Sequence, residues 1–321
     1  MKIPEKLSIC NIPTPIQTLE SPDNGWAKLY IKRDDYTGFE TGGNKVRKYE
    51  YHLYRAKKQK ADVIITCGGL QSNHARAAAS LAARLSLGCH LVLRGPDAPP
   101  DGNYFLNILF GAKVTLITRE QYANNRNEIM AELSEDYRRK NRIPYVIPEG
   151  GSDGLGMFGY YNAYHEILSQ ERDIGIRFDT ICVADGSGGT YAGLYAANEY
   201  LCGDKKIVGF NVSSRDGAKE RILDILEEGA AIAGHPILAG NIHQNFDYIG
   251  DGYGIAYPEL VEFIRQTARS TGIVTDPVYT GKALLGTVSE IAKRNPLLKG
   301  NVLFIHTGGQ FGIFPNKELF L

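Results

Sequence analysis

A lysine at position 45 follows two glycines, in the run TGGNKVRK over residues 41–48. The glycines remove side-chain bulk beside the lysine, and the residues after it have the periodicity of an amphipathic helix. A chain can present an amine to an aldehyde in this way, and the two groups then form a Schiff base. An arbitrary lysine after a glycine pair is usually an ordinary exposed residue, so this interpretation depends on the other motifs.

A glycine-rich turn follows the apolar run at residues 180–184, and a helical pattern follows the turn. The turn consists of Gly186, Ser187, Gly188, Gly189 and Thr190. Converging backbone N–H groups and the N-terminus of the next helix bind phosphate, and a threonine hydroxyl adds a donor. A packing-driven turn or a dinucleotide turn is the alternative, although the Gly-x-Gly-x-x-Gly spacing is absent. A reactive lysine together with a phosphate site predicts pyridoxal phosphate (PLP) as cofactor.

Polar residues also follow the apolar run at residues 63–67, in the sequence GGLQSNH. Ser72 is a natural N-cap for the next helix, which is its structural role. In the functional interpretation, Gln71, Ser72 and the free N–H groups hold a substrate carboxylate, while Asn73 donates to the phenolic oxygen of a cofactor ring. His74 is expected to be a structural hydrogen-bonding residue.

Two tyrosines in glycine-containing segments near the C-terminus are further candidates. Tyr279 precedes a predicted helix and can offer an aromatic face to a planar cofactor. Without the other motifs, Tyr253 in the run DGYG would be read as an ordinary loop residue. Either residue alone carries little weight, because the chain has 19 tyrosines.

Composition excludes several function classes. The 321 residues include 36 Lys plus Arg and 36 Asp plus Glu, so no global field favours nucleic acid or an anionic membrane. The N-terminus lacks the apolar segment of a signal peptide, and no apolar run approaches the roughly 20 residues that span a bilayer, which predicts a cytoplasmic protein. The five cysteines are widely spaced and neither they nor the seven histidines have metal-ligand spacing, so no metal site is predicted.

Short apolar runs alternate with stretches of helical periodicity along the whole chain. Strands are predicted at residues 63–67, 90–94, 114–118, 145–147, 180–184, 207–212 and 302–307, and helices at 75–85, 103–110, 120–139, 157–170 and 281–293. This order predicts an α/β fold with mainly parallel sheets between helices. The glycine-rich run at residues 148–154 marks a domain crossover, which would put the cofactor in a cleft between two domains.

Taken together, the motifs resemble those of the D-cysteine desulfhydrase and 1-aminocyclopropane-1-carboxylate (ACC) deaminase family of fold-type-II PLP enzymes. The resemblance runs from residues 12–15 through 32–35, the Lys45 run, 71–74, 148–152 and 186–190 to 276–282 and 306–309. It implies a large PLP-binding domain from residues 1–47 and 152–321 and a small α/β domain from residues 48–151. Each domain would be a mainly parallel twisted sheet flanked by helices, and the protein would be a homodimer.

The resemblance also implies a role for each residue of the site. Lys45 would form the Schiff base, Lys48 and residues 186–190 would hold the phosphate, and Asn73 would contact the ring oxygen. Gln71, Ser72 and Tyr253 would face a small amino-acid substrate, with Tyr279 against the ring. Lys45, Ser72 and Tyr279 would then be the catalytic residues, with Asn73 and Tyr279 also bordering the substrate.

Two threonines distinguish branches of this family. Where the deaminase branch has glutamate and leucine, this chain has Thr280 and Thr307. A carboxylate beside the pyridine nitrogen strengthens the ring as an electron sink, and a threonine hydroxyl does so weakly. We therefore expect β-elimination from D-cysteine to pyruvate, hydrogen sulfide and ammonia. The alternatives are ACC deamination to α-ketobutyrate, an L-cysteate sulfo-lyase, and a PLP-binding carrier or sensor without activity.

Overall fold

A computed structural model describes residues 2–213, 217–238 and 240–321. Within these residues the strands are β1 Ile16–Leu19, β2 Ala27–Lys32, β3 Val63–Gly69, β4 Gly88–Arg94, β5 Lys113–Ile117, β6 Pro144–Val146, β7 Thr180–Asp185, β8 Lys206–Asn211, β9 His243–Asn245 and β10 Gly300–Ile305. Each predicted strand has a counterpart in this set, whereas β1, β2 and β9 were not predicted.

The α-helices of the described residues alternate with most of these strands. They are α1 Asn44–Lys58, α2 Asn73–Arg84, α3 Gly102–Leu109, α4 Arg119–Asn124, α5 Arg126–Arg139, α6 Phe158–Ile174, α7 Gly189–Tyr200, α8 Ala218–Ala233, α9 Pro258–Thr271 and α10 Thr280–Ala292. The single helix predicted over residues 120–139 is wrong in one respect. It divides at Asn125, and the first part has its own capping box between Thr118 and Gln121.

The larger sheet has six strands in the order β1-β2-β10-β7-β8-β9. Among the described strands of this sheet, only β1 runs antiparallel to its neighbour. Alternate residues of β7 face opposite layers, because successive strand residues point to opposite sides. Ile181 and Val183 pack in the core formed with α6 and α7, whereas Cys182 and Ala184 pack in the core formed with α10. Burial on both faces accounts for the unbroken apolar run in this strand.

The smaller sheet has four parallel strands in the order β5-β4-β3-β6. Its faces are also covered by helices. Ile64 belongs to the core that contains residues of α1 and α2, and Ile65 belongs to the core that contains Tyr122 and Met130 of α4 and α5. The predicted α/β class, with mainly parallel sheets between helices, is confirmed.

The division into domains at residues 47/48 and 151/152 stays a prediction. All strands of the smaller sheet lie between residues 63 and 146, and α1 crosses the first predicted boundary. In the described part of the chain, no helix combines the length and the apolar character that crossing a membrane requires.

Candidate active site

The carboxyl ends of strands from both sheets meet at one cleft of about 250 Å³. Ligands of parallel α/β proteins bind at this end of the strands. Its walls come from the segments after β3, β4, β7 and β10, from the start of α1 and from two loops. The lining residues include Asn44, Lys45, Gly68, Gly69, Ser72, Asn73, His74, Arg94, Glu149, Gly150, Ala184, Asp185, Gly186, Ser187, Gly188, Thr190, Tyr253, Tyr279, Thr307 and Gly308.

Lys45 is the second residue of α1, and its half-buried side chain lines the cleft. Burial lowers the pKa of its amine to about 8, although the charges of Glu149 and Asp185 act in the opposite direction. A larger share of the side chain is therefore neutral at physiological pH than for an ordinary lysine. The neutral amine is the form that attacks an aldehyde.

The glycines before Lys45 are required by a close approach of two backbone segments. Gly43 has a φ of 114°, and a Cβ on it would lie 2.4 Å from the carbonyl oxygen of Thr307. The N–H of Asn44 donates to the same oxygen over 3.1 Å. From sequence, both glycines were expected to expose the lysine, whereas in the structure Gly43 lets α1 begin against the segment after β10, and a Cβ on Gly42 would lie 2.5 Å from the carbonyl oxygen of Gly38.

The glycine-rich turn at residues 186–190 leads from β7 into the buried N-terminus of α7. Gly188 has a φ of 84°, and no side chain among the described residues caps this helix. The first N–H groups of a helix have no partner within the helix. With the positive end of the helix dipole, they form a site for an anion at the cleft wall.

Lys48 lies beneath the same turn, one helical turn after Lys45. Its amine donates to Ser152 Oγ over 2.8 Å, and Ser152 Oγ is 2.7 Å from Ser187 Oγ. A Cβ on Gly189 would lie 3.0 Å from the Lys48 amine, so the absence of a side chain there lets the lysine approach the turn. Burial, and then the charge of Lys45, hold the pKa of Lys48 well below its usual value.

The N-terminus of α2 forms a second polar wall. Ser72 is its N-cap and accepts a hydrogen bond from the N–H of Ala75 over 3.2 Å, so its structural role is realised. Ser72 and Asn73 both line the cleft. Gln71 does not, because its side chain donates to the carbonyl of Asp101 and accepts from the N–H of Asn103 at the start of α3.

Tyr279 and Tyr253 face each other across the cleft wall. Their hydroxyl groups share a hydrogen bond, and their ring centroids lie 5.8 Å apart in an edge-to-face arrangement. A Cβ on Gly186 would be 3.3 Å from the Tyr279 ring, which explains glycine at the start of the turn. Burial raises the pKa of the Tyr279 phenol well above its usual value.

The two discriminating threonines have different surroundings. Thr307 lines the cleft directly after β10. Thr280 is fully buried behind the wall, where its hydroxyl lies 2.7 Å from Asp276 Oδ1 and accepts from the Asp276 N–H over 3.0 Å. Asp276 also accepts the N–H of Tyr279, so this turn fixes the start of α10.

Several residues of the site were not predicted from sequence. Asn44 donates to Thr190 Oγ1 over 2.9 Å and so connects the start of α1 to the start of α7. Glu149 lines the cleft, and Ser152 bonds to Lys48 beneath the turn; both lie in the run at residues 148–154, which was expected to be a domain crossover and part of the family resemblance but had no predicted site role. Arg94 is the last residue of β4. A polar residue at the carboxyl end of a predicted parallel strand was the available signal for Arg94.

The arrangement fits PLP by its own chemistry. Two buried amines with lowered pKa values lie beside an uncapped helix N-terminus, which is a site that favours an anion. Residues 186–190 with Lys48 would hold the phosphate, and Lys45 would hold the aldehyde carbon. Next to Gly186 of the same turn, the cleft wall contains an aromatic side chain, Tyr279, for a planar ring.

Comparison with known proteins gives the same answer. The model of the family "Pyridoxal-phosphate dependent enzyme" matches residues 7–308. The chain belongs to this family and is therefore a PLP-dependent enzyme. The sequence-based predictions of the cofactor, of enzymatic activity and of the desulfhydrase and deaminase resemblance are confirmed.

Individual relatives cover nearly the whole chain. The mitochondrial bifunctional D-cysteine desulfhydrase/1-aminocyclopropane-1-carboxylate deaminase of Arabidopsis thaliana is 40% identical over 325 residues, covering 97% of this chain and 80% of that protein. The D-cysteine desulfhydrase of Yersinia pestis is 36% identical over 317 residues, covering 96% and 95%. A crystal structure of an ACC deaminase homologue superposes with a TM-score of 0.89 and 37% identity over 99% of this chain and 96% of that one, which confirms fold type II.

Proposed function

We propose that the protein catalyses the elimination of the β-substituent from a small amino acid, with D-cysteine as the substrate. D-cysteine and water would give pyruvate, hydrogen sulfide and ammonium. The names of the relatives, which include D-cysteine desulfhydrases, support this substrate class. The bound coenzyme supplies an electron sink that stabilises negative charge at the substrate Cα.

Lys45 is the base of the proposed reaction. Its amine nitrogen would take the Cα proton once substrate is bound, and a pKa of about 8 leaves an appreciable share of that amine neutral near pH 7. His74 is less suited to this role. Burial holds its pKa well below the usual value, and its ring is already bonded to Thr66 and Tyr49 and stacked on the latter.

The substrate carboxylate would lie at the N-terminus of α2. Ser72 and Asn73 line the cleft there, and a helix N-terminus favours a carboxylate. Tyr279 keeps its phenol proton at physiological pH because its pKa is raised by burial. A neutral phenol can donate a hydrogen bond to a departing thiolate, so Tyr279 is assigned to the leaving group and Tyr253 to the outer border of the substrate.

The observation that carries the choice of reaction is the neutral Thr307 in the cleft wall, together with Thr280 where the deaminase branch has glutamate. A neutral hydroxyl such as that of Thr307 would stabilise a protonated pyridine nitrogen only weakly, by hydrogen bonding, so the electron sink would be weaker than one supported by a carboxylate. Loss of hydrosulfide needs a weaker sink than opening of a cyclopropane.

A substrate panel tests this proposal. We expect the highest kcat/KM with D-cysteine, measured as pyruvate release, among D- and L-cysteine, D-serine, L-cysteate and ACC. Faster release of α-ketobutyrate from ACC would contradict the proposal and favour the deaminase. Holoenzyme that releases no keto acid from any of these compounds would favour a carrier or sensor.

The proposal includes the wider organisation of the protein. A homodimer in the cytoplasm, with a large domain of residues 1–47 and 152–321 and a small domain of residues 48–151, is what the family resemblance implies. The confinement of the smaller sheet to residues 63–146 supports the division. Light scattering of the holoenzyme should give twice the chain mass, and a monomer would contradict the assignment.

A further inference from the structure

Arg94 places a cation in the cleft that none of the roles assigned above uses. It is the last residue of β4, pairs in register with Gly69 of β3, and is half-buried. Its side chain runs along the small-sheet wall, since a Cβ on Gly69 would lie 3.8 Å from one of its terminal nitrogens. The guanidinium therefore lies beside the segment that leads to Ser72.

Aromatic rings hold this guanidinium in position. Its central carbon lies 4.9 Å from the ring centroid of Tyr122 and 5.8 Å from that of Tyr253. Rings attract the charge without occupying the N–H donors that point outward in the plane of the group. Within residues 2–213, 217–238 and 240–321, the guanidinium lies over these two rings and has no carboxylate within 4 Å.

Arg94 lies where the side chain of a substrate would be expected in the proposed function. Tyr253 contacts Arg94 on one side and shares a hydrogen bond with Tyr279 on the other. In the proposed function, the α-carboxylate lies at the N-terminus of α2 and the leaving group lies near Tyr279. A substituent on the β-carbon would then lie between Tyr279 and the guanidinium.

We infer that Arg94 is a specificity-determining residue that favours a negatively charged substituent on the β-carbon of the substrate. This inference rests on the proposed elimination reaction. A guanidinium offers paired donors to an oxyanion, and a charge-assisted hydrogen bond of this kind is stronger than a neutral one. A departing hydrosulfide carries negative charge late in the reaction, whereas a sulfate ester carries it from the moment of binding and gains the most.

The test compares two substrates that differ in charge and share a good leaving group. Serine O-sulfate is anionic and β-chloroalanine is neutral at the β-position, and elimination from either releases pyruvate. Both enantiomers of each are assayed with wild-type holoenzyme, Arg94→Gln, Arg94→Lys and, as a matched control, Arg84→Gln. Arg84 is an exposed arginine at the end of α2, so its substitution removes the same charge outside the cleft.

The measured quantity is the ratio of kcat/KM for the anionic substrate to that for the neutral one. Arg94→Gln should lower this ratio by about 50-fold, consistent with the loss of a charge-assisted hydrogen bond. Arg94→Lys should restore part of it, and Arg84→Gln should leave it as in wild type. A ratio for Arg94→Gln within about threefold of the wild-type ratio would overturn the inference. That result is expected if Arg94 binds the α-carboxylate, because kcat/KM would then fall equally for both substrates.

A binding measurement separates this inference from the proposed reaction. The holoenzyme is titrated with 3-sulfopropanoate and with butanoate, which lack an amine and cannot react, and binding is followed by competition or by coenzyme absorbance. Arg94→Gln should weaken the binding of 3-sulfopropanoate much more than the binding of butanoate, even if no substrate is turned over. Equal weakening of both would overturn the inference, whereas absence of turnover alone would overturn only the proposed function.

Discussion

The two sides of α1 carry cations that differ in their partners: one side has an arginine paired with carboxylates, and the other has two lysines that are not. On one side, Arg47 donates to both oxygens of Asp34 and both of Glu166 over 2.8–3.1 Å. On the other side, Lys48 donates to neutral oxygens, and Lys45 faces the cleft. Residues 45 and 48 share a side because they are three apart, and residue 47 points away from them.

The difference appears directly in the pKa values. Burial opposes ionisation of Asp34, yet the charges of Arg47 and Lys32 hold its pKa at about 2. Burial lowers the pKa of Lys45 to about 8 and that of Lys48 well below its usual value. Loss of one partner from a buried ion pair destabilises the fold, whereas a buried charge without a counter-ion favours an anionic ligand. The two sides of one helix therefore separate a structural role from a binding role.

The largest expected effect follows from Lys45→Ala. Turnover should fall about 10⁴-fold or more, because both the covalent attachment and the base are lost. The variant should still take up PLP, since the contacts of residues 186–190 and Lys48 remain. Steady-state kinetics and dialysis measure the two outcomes, with the exposed Lys57→Ala as control. Turnover near the parent value would contradict the assignment.

Arg47→Met should instead damage stability. It leaves the carboxylates of Asp34 and Glu166 without their main partner, which costs about 3–5 kcal/mol for a buried pair. Urea unfolding of the protein without coenzyme measures this free energy. Arg138→Met breaks an exposed ion pair and should change it only slightly. Equal effects of the two substitutions would show that the buried network is not what stabilises this side of α1.

Lys48→Met should have the reverse pattern. The methionine keeps most of the apolar stem and removes a buried amine, so the unfolding free energy of the coenzyme-free protein should stay the same or rise. The dissociation constant for PLP should rise about 10- to 100-fold through loss of a charge-assisted contact to the phosphate. Fluorescence titration measures the affinity. Lower stability with unchanged affinity would contradict the comparison between the two sides.

The smallest effect is a pH dependence. Because the pKa of Lys45 is lowered to about 8, its amine becomes neutral as pH rises through 8. The rate of covalent PLP uptake by the coenzyme-free protein should rise with pH below 8 and level off above it. Glu149→Gln should move the midpoint to lower pH, since the charge of Glu149 raises this pKa. A rate that rises steadily to pH 10 would contradict a lowered pKa.

Stability should respond to the same titration. The unfolded chain keeps the Lys45 proton up to its ordinary pKa of 10.5, whereas the folded chain releases it near 8. The unfolded state then binds more protons between these values, so this group makes folding more favourable as pH rises from 8 to 10.5.

The parallel core of the fold could be predicted from sequence because its strands are buried on both faces and read as apolar runs. The unpredicted strands lack that signal. β1 lies at a sheet edge and has two exposed residues between half-buried ends, and β9 consists of His243, Gln244 and Asn245. β2 ends at Lys32, a charged residue that is fully buried and whose amine donates to Glu166 and Gln170. Such compensation depends on partners more than 130 residues away.

The site was predictable where a motif combines glycines with a chemically distinctive residue, as at Lys45 and at residues 186–190. It was less predictable where a side chain has competing partners. Gln71 bonds to the start of α3 and Thr280 to Asp276, which no local pattern indicates. No site role could be predicted for Arg94 because it ends an ordinary strand. Its contact with Tyr253 exists only in the tertiary fold.

Reduction of the holoenzyme with borohydride, followed by peptide mapping, tests the central claim most directly. We predict that the reduced coenzyme is found on Lys45 and that the visible absorbance of the protein is lost in step with its attachment. Attachment to Lys48 or to any other lysine, or no attachment at all, would contradict the assignment of the two sides of α1.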